Sequence, residues 1–224
     1  MKINLSDDHA VESRDHGLLR RIALLVDTIR IVFENLPPDF EDVPEKRSLN
    51  LVTVCLQAFT TNLFGALDNI ATVWASEFKI RKEDGSELPK SWIGIKPNNV
   101  FLRSTFSEEF NAVLREMDDW IDHLEYFRHA LAHRIPLYIP PYSVKNDDEA
   151  RYHEISGMLW LEFDQDKRAA LETELRNLKS FQPVMLQSYE NPKLVPFHVQ
   201  MLQDFLAIEK ICNEFGTELQ RKLG

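Results

Sequence analysis

Arg128, His129 and His133 stand close together in the run Arg128-His129-Ala130-Leu131-Ala132-His133, with Tyr126 just before it and Arg134 just after. An imidazole titrates near neutrality, so it takes up or releases a proton at physiological pH. A guanidinium presents a fork of N–H donors that fits phosphate oxygens and balances charge developing on them. The combination suits phosphate chemistry, and nowhere else in the chain do such residues gather as tightly.

A helix must carry the run. Thr105 followed by Glu108 reads as a capping box, so the helix is expected to begin near Phe106. Its apolar stripe is Phe110, Val113, Met117, Trp120, Ile121, Leu124, Phe127 and Leu131. Pro136 disfavours helical geometry at Ile135, which places the helix end near His133 or Arg134. On a wheel of about 100° per residue with Leu124 at zero, His129 and His133 fall near ~140° and ~180°, with Asp122 and Tyr126. Arg128 falls near ~40°, at the edge of the apolar stripe. The histidines thus share a face while the arginine points toward the core side. Either the helix end is distorted, or two copies of the motif meet across a symmetric contact.

An arginine beside an apolar stripe calls for compensation, because unpaired buried charge is costly. Asp68 poses the mirror-image problem in Ala66-Leu67-Asp68-Asn69-Ile70, in the middle of an apolar helix. Asp68 and Arg128 are therefore expected to lie close and neutralise one another, with Asn69 as a polar neighbour. The alternative is that each side chain reaches water separately.

Arg128, a polar second residue, three further residues and His133 resemble the signature of HEPN domains, the higher eukaryotes and prokaryotes nucleotide-binding superfamily of helical bundles. The strict match is residues 128–133; the helical pattern extends it loosely over residues 10–215. The resemblance implies a metal-independent endoribonuclease of toxin or defence type, with the site formed at a homodimer cleft. His133 would be general base toward the ribose 2′-hydroxyl, Arg128 would hold the scissile phosphate, and His129 would orient or support them. Asp68, Asn69, Tyr126 and Arg134 would support the site. The product would be a 2′,3′-cyclic phosphate, and no cofactor is implied. In a toxin role its partner would be a cognate antitoxin; the resemblance also admits a non-catalytic helical module that binds nucleotide, RNA or another protein. In that case the cations serve the helix end through its macrodipole.

Other chemistry has less support. His129 and His133 have the i, i+4 spacing of zinc-binding helices, and Asp122 could join them. Alanine at position 130 breaks the metalloprotease pattern, and no metal is expected. His123, His153 and His198 stand alone and read as surface or hydrogen-bonded core residues. Ser188 and Cys55 have no nearby base. Lys79, Arg81, Lys82, Lys90 and Lys96 make the 80–104 segment locally basic, and Trp92 there could stack on a base.

The elements around the motif read as an all-α bundle of about five long helices in one HEPN-like domain. Helices are expected over about residues 10–35, 46–79, from Phe106 to the motif, from 149 to about 180 with a break near Gly157, and over 197–223. Pro89, Gly94 and Pro97 make 80–104 a long loop with a short hairpin or helical turn. Ile135 to Tyr142, with three prolines, is an extended arm whose Ile135, Leu137 and Ile139 pack down and fix the helix end. The 26 basic and 36 acidic residues give a net charge of −10, which excludes non-specific coating of nucleic acid and confines any RNA contact to a local basic spot. Cys55 and Cys212 read as buried thiols. No secretory core or membrane span is expected, and the location expected is cytoplasmic.

Overall fold

The computed structural model describes residues 3–133, 136–186 and 193–224, leaving aside the side chains at 132 and 133. It is mostly helical, as the periodicity requires. The chain opens with α1 (Asp8–Glu12), a π-helical stretch at Ser13–Leu18, and α2 (Leu19–Asn35). The first expected helix is therefore present but interrupted. The π stretch lies where Gly17 abuts α3: a Cβ there would stand 2.4 Å from Asn69 Nδ2.

The central element is α3 (Lys46–Glu77), which buries Leu56, Phe59, Leu63, Ile70 and Trp74 among others. A helix apolar over so much of its circumference needs neighbours on several sides. Residues 48–67 carry no charged side chain, so the expectation that no stretch was long enough to span a bilayer was wrong. Among the described residues, α3 is the one helix long and apolar enough for that test. In this fold α2, α6 and α9 pack against it instead. Lys79, at φ 47°, turns the chain out of α3.

The expected long loop contains both features read from its turn residues: a bridge between Arg81 and Glu87, then a 3-10 turn at Lys90–Trp92 and a single helical turn, α4 (Val100–Arg103). Arg103 pins the loop. Its buried guanidinium donates to the Ile95 carbonyl at 2.6 and 2.9 Å and to Asp118 at 2.5 Å.

The motif helix differs from expectation at its start. Ser107, not Thr105, caps it, and α5 (Glu108–Glu116) is followed by a break at Met117 and then α6 (Asp118–His133). Thr105 is otherwise engaged, accepting from Trp74 Nε1 at 2.8 Å. Ser107 also donates its N–H and hydroxyl to Glu218, each at 2.7 Å, which ties α5 to α9. The break frees α6 to take its own angle, with Asp118 held by Arg103 and Trp120 Nε1 donating to Asp204 at 2.8 Å.

Beyond α6, Leu137 and Ile139 are buried and Tyr138 pairs by backbone with Leu186, so the described part of the arm packs down as expected. A hairpin follows, of α7 (Glu149–Leu161) and α8 (Gln165–Asn177), its base closed by antiparallel pairing of β1 (Ser143–Val144) with β2 (Lys179–Ser180). The expected break at Gly157 lies instead at 162–164, where Asp164 accepts the N–H groups of Asp166 and Lys167 and so starts α8. Strands β3 (Val184–Met185) and β4 (Val195–Pro196) then lead into α9 (Phe197–Leu223), which runs over the expected residues. The core joins α2, α3, α4, α5, α6, the arm and α9. Each large apolar side chain buried there contributes about 1.5–3 kcal/mol.

Candidate functional site

Helix α6 is fixed before its functional end is reached. Ile121, Leu124 and Phe127 are buried against the core, and Glu125 pairs with Lys96 of the long loop at 2.6 Å. With that face inward, Arg128 and His129 are both exposed, as is Tyr126. The His133 side chain and Arg134 lie outside the described residues.

Arg128 leans on α3, its guanidinium carbon 5.1 Å from the centre of the Phe64 ring. An aromatic face attracts a guanidinium through its quadrupole, by roughly 0.5–1 kcal/mol at an open site. The expected position at the edge of the apolar stripe is thus realised, but the charge is not buried. Asp68 is one helical turn on from Phe64 and is also open to solvent. The two form no ion pair within 4 Å, so the expected neutralising contact is not a direct one. Their coupling is through space. Crowding by its surroundings pushes the Asp68 carboxyl above its usual range, while Arg128, Lys96 and Arg21 pull it down and Glu125 pushes it further up.

Arg21, which no motif singles out, comes from α2 and lies across α3. It donates from Nε to Asn69 and from a terminal nitrogen to Asn62, both at 3.0 Å. Gly65 makes this passage open: a Cβ at 65 would stand 2.5 Å from the guanidinium carbon. Asn69 is therefore the buttress for Arg21. The one clue in sequence was Gly65 itself, since a glycine inside a long apolar helix lowers its stability and invites a packing reason. Lys96, read only as part of a basic loop, reaches the same face.

Three cations from three separate segments, Arg21, Lys96 and Arg128, and a second carboxylate, Glu125, thus act through space on Asp68 on the outward side of α3. All three are held in place, Arg128 by an aromatic ring, Arg21 by two amide oxygens and Lys96 by the Glu125 carboxylate. Against Asp68 and Glu125 these three cations leave a balance of one positive charge, a locally basic spot on a chain of net charge −10. Farther along the loop, Trp92 is partly exposed with Lys82 Nζ 5.5 Å from its ring centre.

The histidines and cysteines outside the motif that the sequence singles out lie in other surroundings. His198 is buried, its Nε2 2.7 Å from the Leu36 carbonyl oxygen, and burial lowers its pKa. His123 packs its ring edge-on to Phe127 at 4.7 Å. His153 faces Glu149 on the surface. Cys55 is buried and Cys212 half-buried, and burial pushes the Cys212 thiol up to about 12. Among the described residues no three His, Cys, Asp or Glu side chains converge as a metal site requires. Comparison with family models, with curated proteins and with solved structures returns no match, so the functional reading rests on this geometry and on the motif.

Proposed function

We propose that the chain is a HEPN-like endoribonuclease that works without a metal at Arg128, His129 and His133. The observation that carries this reading is the set of cations at Arg21, Lys96 and Arg128, which converge on the face of α3 beside the motif of an otherwise acidic protein. Arg128 binds a non-bridging oxygen of the scissile phosphate. His133 takes the proton of the ribose 2′-hydroxyl as its oxygen attacks phosphorus. The bond from phosphorus to the 5′-oxygen breaks, and His129, on the same helical face, returns a proton to that oxygen. The products are a 2′,3′-cyclic phosphate and a 5′-hydroxyl. Arg21 and Lys96 hold neighbouring phosphates, and Trp92 offers a ring on which a base stacks. The second motif comes from another copy of the chain, in keeping with the divided faces of the helix.

A binding-only reading is favoured by Arg21, whose Nε and one terminal nitrogen are already committed to Asn69 and Asn62. Incubation of wild type, His133→Ala and Arg128→Ala with a mixed panel of single-stranded RNAs in EDTA separates the two. Cleavage by wild type alone, with cyclic phosphate ends, supports the nuclease. Retained binding with no cleavage by any of the three supports the module.

A further inference from the structure

Glu125 stands one helical turn before His129 on α6, at the i, i+4 spacing that brings two Cβ atoms to about 5–6 Å. Its Oε1 takes the ammonium of Lys96, from the long loop, at 2.6 Å. We propose that Glu125 is a positioning residue of the site: it holds the Lys96 ammonium in the free protein, yields it to a phosphate of the bound RNA, and then turns to the His129 imidazolium. His129 enters here as the acid of the proposed nuclease, on which that last step rests; the hold on Lys96 does not depend on it.

Lys96 is anchored at its root and open at its tip. The carbonyl of Ile95, the residue before it, accepts from the buried Arg103 guanidinium at 2.6 and 2.9 Å. Arg103 also donates to Asp118, the first residue of α6, about two turns before Glu125. The Lys96 carbonyl itself accepts the Asn99 N–H at 2.9 Å. The backbone at Lys96 is thereby held against α6, and the flexible four-carbon stem is the part left to swing. The Lys96 and Glu125 side chains are 34% and 40% exposed, and an ion pair this open is weak enough for a phosphate to replace the carboxylate.

The charges on this face carry the exchange on to His129. Asp68 of α3, Arg21 of α2, Lys96 of the loop and Arg128 of α6 act there together with Glu125. Asp122 and Tyr126 lie on the exposed side of α6. Seating the scissile phosphate on Arg128 and its neighbour on Lys96 adds two negative charges to the face. Asp68 and Glu125, which already repel one another through space, then lose the two cations that offset them. A proton on His129 restores the balance, and Glu125 is the carboxylate one turn away. The imidazolium is therefore favoured once RNA is seated, and its proton is the one returned to the leaving 5′-oxygen.

Fluorescence anisotropy with an uncleavable 2′-deoxy oligonucleotide and single-turnover cleavage of the matching RNA test the proposal. The proteins compared are wild type, Glu125→Gln, Lys96→Met and the double variant. Glu125→Gln frees Lys96 and should bind about two- to fivefold tighter than wild type, the share of an open ion pair. In the Lys96→Met background the same substitution should lose most of that gain, since no ammonium remains to release. At saturating RNA, Glu125→Gln should cleave about tenfold more slowly, a part of the roughly 10²–10⁴-fold that a positioned acid contributes. A carboxylate that only fastened the loop to α6 would, on removal, weaken binding and cleavage together. Weaker or unchanged binding by Glu125→Gln overturns the proposal, as does a gain that persists in full without Lys96 or an unchanged rate at saturation. Wild type that binds the oligonucleotide but cuts no RNA overturns the nuclease and the His129 step with it, while tighter binding by Glu125→Gln still upholds the hold on Lys96.

Discussion

Gly65→Ala offers a direct test of how the basic spot on α3 is built. Alanine in a helix interior is favoured over glycine by about 0.8–1.0 kcal/mol, so the substitution alone should stabilise α3. Here its Cβ would stand 2.5, 2.6 and 2.8 Å from three atoms of the Arg21 guanidinium group. Those atoms are the far end of a flexible side chain, so the guanidinium moves and the helix does not. It then gives up its bonds to Asn69 and Asn62, both partly buried. Two such bonds contribute about 1–1.5 kcal/mol each, toward the lower end for a charged donor that solvent still reaches. The loss outweighs the helix gain by about 1–2 kcal/mol, a fall in Tm of roughly 2–8 °C for a chain of this size. In an Arg21→Ala background the obstruction is gone, and Gly65→Ala should then stabilise by about 1 kcal/mol. Thermal unfolding of the four proteins by circular dichroism reads both signs. A Gly65→Ala that destabilises equally in both backgrounds would refute the account, because the glycine would then serve something other than Arg21.

Three further outcomes are expected. Glu77 is buried and accepts the N–H groups of Ser6 and Asp7 and the Ser6 hydroxyl. Burial pushes its carboxyl up, but these bonds outweigh it and hold the pKa below the usual range. Its contribution is therefore present above a pH of about 4.3 and lost as pH falls through the folded value. Glu77→Gln should cost about 2–3 kcal/mol at pH 7 and progressively less in acid; equal losses at pH 7 and pH 3 would count against the clamp. Asp204 shows the opposite sign, since burial raises its pKa against bonds from Trp120 and Gln200. Any stability linked to its protonated form is complete below a pH of about 3.9 and is lost as pH rises through the folded pKa. Asp204→Asn keeps an oxygen for Trp120 and should leave stability at pH 8 unchanged or higher, and a loss of more than about 2 kcal/mol there would contradict the burial argument. For the site itself, Arg21→Ala should weaken single-stranded RNA binding and lower the slope of log affinity against log salt by about 0.7, the share of one phosphate contact. An unchanged slope in fluorescence anisotropy removes Arg21 from the binding surface.

The elements were legible because their signals are local. The long apolar face of α3, the span of α9 and the packed-down arm follow from residue spacing and prolines alone. The errors fell where a side chain is claimed by something distant. Thr105 reads as a cap until the Trp74 indole takes its hydroxyl, and Ser107 caps α5 while held by Glu218. Nothing near Met117 announces a break; Arg103 and Asp204 set the direction of α6 from other segments. The break near Gly157 failed for the opposite reason, since one glycine costs a helix less than an Asp cap farther on contributes.

By itself the sequence determined that this protein is helical, acidic and equipped with an arginine and two histidines near one helix end, because composition and periodicity act within a few residues. Only the tertiary structure decided what surrounds that arginine. Arg128 meets Phe64 instead of a buried carboxylate, and Arg21 and Lys96 arrive from segments far along the chain to share the face of Asp68. Electrostatic fields and ring stacking depend on distances through space, and those distances exist only once α2, α3, α6 and the long loop have packed.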